Sequence, residues 1–206
     1  MPDRWIDPRF RGLKAHLAPA DRGEEAGRIT GEAAVAMICR ATDEMEVLLI
    51  RRAVSSNDPW SGHMALPGGR REEDDGTILD TAIRETMEET GVRIHADLAL
   101  GRMPAVSPQT TRIPTVRVTP FVFGVPGDVQ ATAASAEIDS IYWVGLSELR
   151  DPKNQGPVNI PLIGSVREFP AFTLQGQVVW GLTYRILHRF LDQVLRSTDT
   201  DPLLGG

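Results

Sequence analysis

With 206 residues, 41% of them hydrophobic and 24% charged, the chain has the balance of one globular domain with a real core, which excludes a disordered, fibrous or disulfide-stapled class. A net charge of −6 disfavours nonspecific grip on nucleic acid or an anionic membrane, since both need a basic surface. The single cysteine, Cys39, rules out an internal disulfide; with no apolar leader in MPDRWIDPRF and no apolar run that spans a bilayer, a cytoplasmic location is expected.

Residues 8–18 read as a short amphipathic helix with Phe10, Leu13 and Leu17 on one side, followed by the polar connector ADRGEEAGR. EAAVAMICRA and EVLLIRRA then read as two strands around the turn-like TDEM, their near-continuous apolar runs suiting strands covered on both faces. SSNDPWSGHMALPGG is expected as a long loop that Pro67-Gly68-Gly69 breaks sharply. A helix follows: Thr77 and Asp80 form a capping box, Leu79, Ile83 and Met87 recur at helical spacing, and Gly91 stands just past the C-terminus. Strands are expected near 94–103, 115–125 and 140–144, a helical turn at LSEL, an irregular proline-rich stretch at GPVNIPLIGSVREFP, a strand at FTLQGQVVW and a closing amphipathic helix at GLTYRILHRFLDQVL. Strands and helices interleave without regular alternation, which predicts an α+β fold: a mixed sheet sandwiched between helices.

Within the helix, Glu85, Glu88 and Glu89 crowd three like charges onto neighbouring positions, which repel. Offsets of three and four residues bring them to one side, opposite the expected apolar stripe. A solvated acidic face is the commoner meaning of such a cluster. Its neighbours point elsewhere: Gly68-Gly69 let backbone approach an ion closely, and Arg51, Arg52, Arg70 and Arg71 suit phosphate. Carboxylates for a hard divalent cation and arginines for phosphate, meeting at a glycine turn, make a coherent site for phosphoryl chemistry.

These residues resemble the Nudix hydrolase signature, G-x5-E-x7-R-E-U-x-E-E-x-G-U, where U is bulky and aliphatic. The chain reads Gly69, five residues, Asp75, eight residues, then Arg84-Glu85-Thr86-Met87-Glu88-Glu89-Thr90-Gly91-Val92. Arg84, Glu85, Glu88, Glu89 and Gly91 match in register. Asp75 stands for the early glutamate, one residue upstream, and Thr86 for an aliphatic residue, so the bracing of Arg84 and the packing at position 86 depart from the pattern. The resemblance implies a Nudix fold over residues 31–197, preceded by a helix and connector at 1–30 and followed by a disordered tail at 198–206. It implies hydrolysis of a diphosphate linked to another group on a small nucleotide substrate, with Mg2+ or Mn2+ held by Glu85, Glu88, Glu89 and the Gly69 carbonyl. Arg84 joins the catalytic set. Glu89 and Glu137, in SAEIDS, are alternative general bases. Arg52, Gly68, Arg70 and Arg71 are the expected substrate contacts. A homodimer is plausible on the same resemblance; a stable nucleic-acid or membrane partner is not expected.

Upstream, VLLIRRAVSSNDPWSGHMALPGG resembles the segment of coenzyme A pyrophosphatases, L-L-T-x-R-(S/A)-x3-R-x3-G-x3-F-P-G-G, at Leu48, Leu49, Arg52, Ala53, Gly62 and Pro67-Gly68-Gly69. Its internal arginine is absent, with Asn57 and Asp58 in that neighbourhood. Coenzyme A or an acyl derivative is therefore one expected substrate, ADP-ribose or a dinucleotide another, and a nucleotide-sensing module without catalysis the reading of a different class. Trp60 is a candidate to stack on a substrate base, although a loop aromatic more often packs locally. His63 is a candidate polar site residue, although a simple loop histidine is the commoner case. Arg112 and Arg117 are candidates for phosphate, with surface solvation the default, and Trp180 and Tyr184 are expected as helix-packing residues.

Overall fold

The computed structural model describes residues 7–20, 31–54, 61–108, 116–162 and 165–195. The two apolar runs form adjacent antiparallel strands, β1 (Gly31–Ala41) and β2 (Met45–Arg52). Most of their side chains are buried, which is why the runs are continuous instead of alternating. Around them gather β3 (Met64–Ala65), β4 (Gly68–Arg70), β5 (Ala99–Arg102), β6 (Val116–Val125) and β7 (Ile138–Gly145), completing a seven-stranded sheet. β1 runs parallel to β6 and antiparallel to β2 and β4, while β2 also pairs with β3 and β7, so the sheet is mixed as expected.

Helices cover both faces. Phe10 and Leu13 of α1 (Pro8–Ala15) and Ile186, Leu187 and Phe190 of α4 (Gly181–Leu195) share one core with Met37, Val47 and Leu49. Between them in sequence, α2 (Ile78–Thr90) lays Ala82 and its flanking Ile78, Leu79 and Ile83 on the opposite core of Ala34, Ile38, Leu48, Phe121 and Phe123. LSEL forms α3 (Leu146–Arg150). Cys39 is a fully buried core residue, and burial pushes its thiol up to about 12.

Four expectations are corrected. Pro67-Gly68-Gly69 does not break the chain: Gly68 and Gly69 open β4, which pairs with Val35 and Ala34 of β1. A Cβ at Gly68, whose φ is 151°, would collide with the Ala34 carbonyl and the Val35 backbone, so only glycine allows that approach. The proline-rich stretch is not irregular either. It forms β8 (Gln155–Leu162) and β9 (Ser165–Leu174), which with β10 (Gln177–Trp180) make a separate three-stranded sheet. Pro157 faces Pro170 in register; neither has an N–H, so they occupy a pair that needs no ladder bond, and Pro161 falls at the same parity. FTLQGQVVW is accordingly a hairpin in place of one strand, turning at Gln175 and Gly176 with φ of 50° and 76°. Lastly, Met87 is 39% exposed, whereas Thr81, Ala82, Thr86, Glu89 and Thr90 are buried. The buried face of α2 is thus rotated from the Leu79-Ile83-Met87 stripe towards the glutamates.

Candidate active site

The capping box at Thr77 and Asp80 starts α2, and Gly91 in the left-handed conformation ends it. Two polar residues survive in its buried face because their hydroxyls bond back to the preceding turn: Thr86 Oγ1 to the Ala82 carbonyl at 2.7 Å and Thr90 Oγ1 to the Thr86 carbonyl at 2.6 Å. Thr86 therefore fills an aliphatic position without an unpaired polar atom. The helix C-terminus is held by the segment leading to β7, where the amides of Thr132 and Ala134 donate to the carbonyls of Thr90 and Glu89.

Asp75 braces Arg84 in spite of its shorter side chain and shifted position. Its two carboxylate oxygens receive Nε and Nη2 of Arg84, each at 3.0 Å, and Thr81 Oγ1 and the Glu72 amide also donate to it. The guanidinium holds the Asp75 carboxyl well below the usual carboxylate range, against the opposing effect of burial. Nη1 of Arg84 reaches Glu85 and Glu88, each at 3.1 Å, and Nη2 reaches the Arg70 carbonyl at 3.1 Å. The sequence carried no local sign of Thr81 and Glu72 as partners, because their role depends on how the 71–76 loop folds back on α2.

The three glutamates occupy unequal environments. Glu88 is exposed, Glu85 half-buried and Glu89 buried. One Glu89 oxygen accepts the Gly68 amide at 2.9 Å, and the other lies 3.7 Å from Nη1 of Arg52. Burial, with repulsion from Glu85 and Glu137, raises Glu89 to about 7. Burial likewise raises Glu85. The Glu85 carboxylate lies directly against Gly69, where a Cβ would collide with it. Glu88 faces solvent whereas Glu89 belongs to the sheet-facing side, so the three carboxylates do not all stand opposite the apolar face.

Arg52 connects the second half of the site. Its Nη2 is 3.4 Å from Glu137, so one guanidinium lies between the two candidate bases. Pairing of Arg52 with Ile138 across β2 and β7 is what brings Glu137 there. Arg70 exposes its side chain beside the cluster. Arg71 is committed elsewhere, with its guanidinium on Glu32 at 2.9 Å and on the carbonyls of Asp75 and Gly76. Arg117 lies on β6 in register with Glu32 of β1. Trp180 ends β10, directly before the closing helix, with its ring 5.0 Å from those of His63 and Phe169. Tyr184 does pack α4, against Phe172 at 4.9 Å. Trp60, Asn57, Asp58, Arg112 and the 198–206 tail lie outside the described residues.

Among the described residues, no three acidic, histidine or cysteine side chains stand grouped as a finished metal-ligand set. Glu85 and Glu88 share Arg84, and Glu89 turns to the Gly68 amide and Arg52. The donor chemistry nevertheless fits Mg2+ or Mn2+: three carboxylates and a glycine carbonyl are hard oxygen donors, and two of the carboxyls are raised by a burial that a cation would offset.

The human mitochondrial coenzyme A diphosphatase NUDT8 is 28% identical over 183 residues, covering 87% of this chain and 75% of NUDT8. An uncharacterized Schizosaccharomyces pombe protein is 32% identical over 153 residues, 71% of this chain; the chain matches 46% of that relative's length. The crystal structure of a MutT/nudix family protein from Enterococcus faecalis matches with a TM-score of 0.58 at 16% identity, over 89% of this chain and 69% of that one, a likeness of fold. The NUDIX domain profile matches residues 30–163, the stretch that contains β1, the glycine strand, α2 and the β2–β7 pairing, and the chain belongs to the NUDIX domain family.

Proposed function

We propose that the chain is a pyrophosphohydrolase that cleaves the diphosphate of a nucleoside diphosphate linked to another moiety, with coenzyme A or an acyl derivative as its substrate. The observation that carries this reading is the complete set of Glu85, Glu88 and Glu89 on α2, with Glu85 against Gly69 and Glu89 on the amide of Gly68 in a strand that needs glycine at position 68. When bound, Mg2+ or Mn2+ supplies Lewis acidity and lowers the pKa of a water. Glu85, Glu88, Glu89 and the Gly69 carbonyl would hold it. Arg84 positions Glu85 and Glu88 through Nη1 and is itself fixed by Asp75.

Glu89 is one candidate for the general base, held beside the glycine strand by the Gly68 amide and close to Arg52. Glu137, across Arg52, is the alternative. Arg52 and the exposed Arg70 would neutralise charge on the diphosphate. The coenzyme A assignment is supported by Leu48, Leu49, Arg52, Ala53, Gly62 and Pro67-Gly68-Gly69, and by the similarity to NUDT8. The missing internal arginine favours ADP-ribose or a dinucleotide as the second reading. Incubation with Mg2+ and a panel of coenzyme A, acyl-coenzyme A, ADP-ribose, dinucleotides, capped RNA and nucleoside triphosphates tests both. Metal-dependent diphosphate cleavage that is strongest on coenzyme A is expected; no turnover on any member would end the hydrolase reading.

A further inference from the structure

His63, Trp180 and Phe169 come from three separate places, the loop before β3, the end of β10 and the middle of β9, yet their rings meet at 5.0 Å. His63 and Trp180 stand edge to face at 67°, and Phe169 tilts on Trp180 at 46°. Rings so inclined form a corner, and all three side chains keep part of their surface in solvent.

The corner is continuous with the carboxylate site. The Arg52 amide donates to the His63 carbonyl at 3.0 Å, which extends the β2–β3 register of Ile50 with Ala65 and Arg51 with Met64 by one pair. Directly paired residues of an antiparallel ladder project from the same face, with Cα atoms about 5.5 Å apart in a hydrogen-bonded pair. His63 therefore leaves the sheet on the face from which Arg52 reaches Glu89 and Glu137. A nucleotide whose diphosphate meets Arg52 and the glutamates carries its base away from that linkage, and His63 is the residue that the strand pairing sets beside Arg52.

We infer that His63 and Trp180, backed by Phe169, form the subsite that stacks the purine base of the substrate and so set its preference for a nucleotide. The inference rests on the hydrolase reading for the position of the diphosphate. Base–aromatic stacking accepts any purine face, whereas Arg52 and the glutamates recognise only the charged linkage, so the two contacts divide recognition between base and diphosphate.

Calorimetric titration of the full chain in Mg2+ with adenosine 5′-monophosphate and with ribose 5-phosphate isolates the base. The nucleotide should bind about tenfold more tightly than the base-free phosphate. His63→Ala and Trp180→Leu should bring the two ligands to within about twofold of each other, and His63→Phe should restore the preference. If Trp180→Leu melts early, His63→Ala with its His63→Phe rescue carries the test. Equal binding of the two ligands by the wild type, or equal weakening of both by the variants, overturns the subsite. Diphosphate turnover without that preference defeats only the subsite; the preference without any turnover defeats only the hydrolase reading.

Discussion

Arg84 meets Asp75 through two parallel bonds, Nε to Oδ1 and Nη2 to Oδ2, each 3.0 Å long, while its remaining nitrogen is left for Glu85 and Glu88. This arrangement fixes the glutamate cluster from behind. It also makes Asp75, which is no candidate ligand, a determinant of both stability and site geometry.

Asp75→Asn is expected to cost about 2 kcal/mol at neutral pH, because it removes the two-pronged carboxylate from a partly buried guanidinium that keeps Glu85 and Glu88 as its close charged partners. The sign with pH follows from the depressed carboxyl. Its contribution is complete above the unfolded value of about 4 and is lost as pH falls towards the folded one, so the gap between wild type and variant should narrow by about 1 kcal/mol per pH unit below that point. Urea midpoints at pH 7, 4 and 3 check this; a gap constant down to pH 3 would detach Asp75 from acid stability.

Glu89 has the opposite sign. Burial raises its folded value to about 7, so its favourable contribution is present below its unfolded value of about 4.3 and disappears as pH rises through 7. In metal-free buffer, Glu89→Gln should be about 3 to 4 kcal/mol more stable than wild type at pH 8, with the advantage vanishing near pH 4. Added Mg2+ should stabilise wild type more than the variant. Thermal melts across pH with chelator or with Mg2+ measure both effects.

Glu88→Gln should leave the melting temperature within a few degrees of wild type, because Glu88 is exposed, yet lower turnover at least about 100-fold through loss of a ligand. Glu85→Gln should lower turnover similarly. Rates at saturating Mn2+ alongside melts separate the two quantities; retained turnover in Glu88→Gln would remove it from the ligand set.

The paired glycines should respond differently to alanine. Gly68→Ala drives a Cβ into the Ala34 carbonyl and the Val35 backbone, which cannot yield, and should destabilise by more than about 2 kcal/mol. Gly69→Ala meets only the movable Glu85 carboxylate, so its main effect should be a weaker divalent-ion affinity with a smaller change in melting. Metal titration by calorimetry beside chemical denaturation tests the contrast.

Local chemistry was legible from the sequence wherever one element suffices to specify it. The capping box at Thr77 and Asp80, the αL glycine at 91, the continuous apolar strands β1 and β2 and the run of three glutamates follow from backbone rules and residue types alone. The turn at Gln175-Gly176 lacks the Asn or Asp that usually marks a two-residue hairpin, so FTLQGQVVW reads as one strand, and the prolines of β8 and β9 concealed a ladder by occupying positions that need no donor. What the tertiary structure alone decided is which groups face each other across elements. The rotation of α2 buried Glu89 and exposed Met87, the loop fold-back set Asp75 on Arg84, and β2–β7 pairing placed Glu137 on Arg52. The reason is physical: capping and periodicity act over a few residues of one chain segment, whereas burial, ion pairing and a raised carboxyl depend on atoms that become neighbours only when distant segments pack.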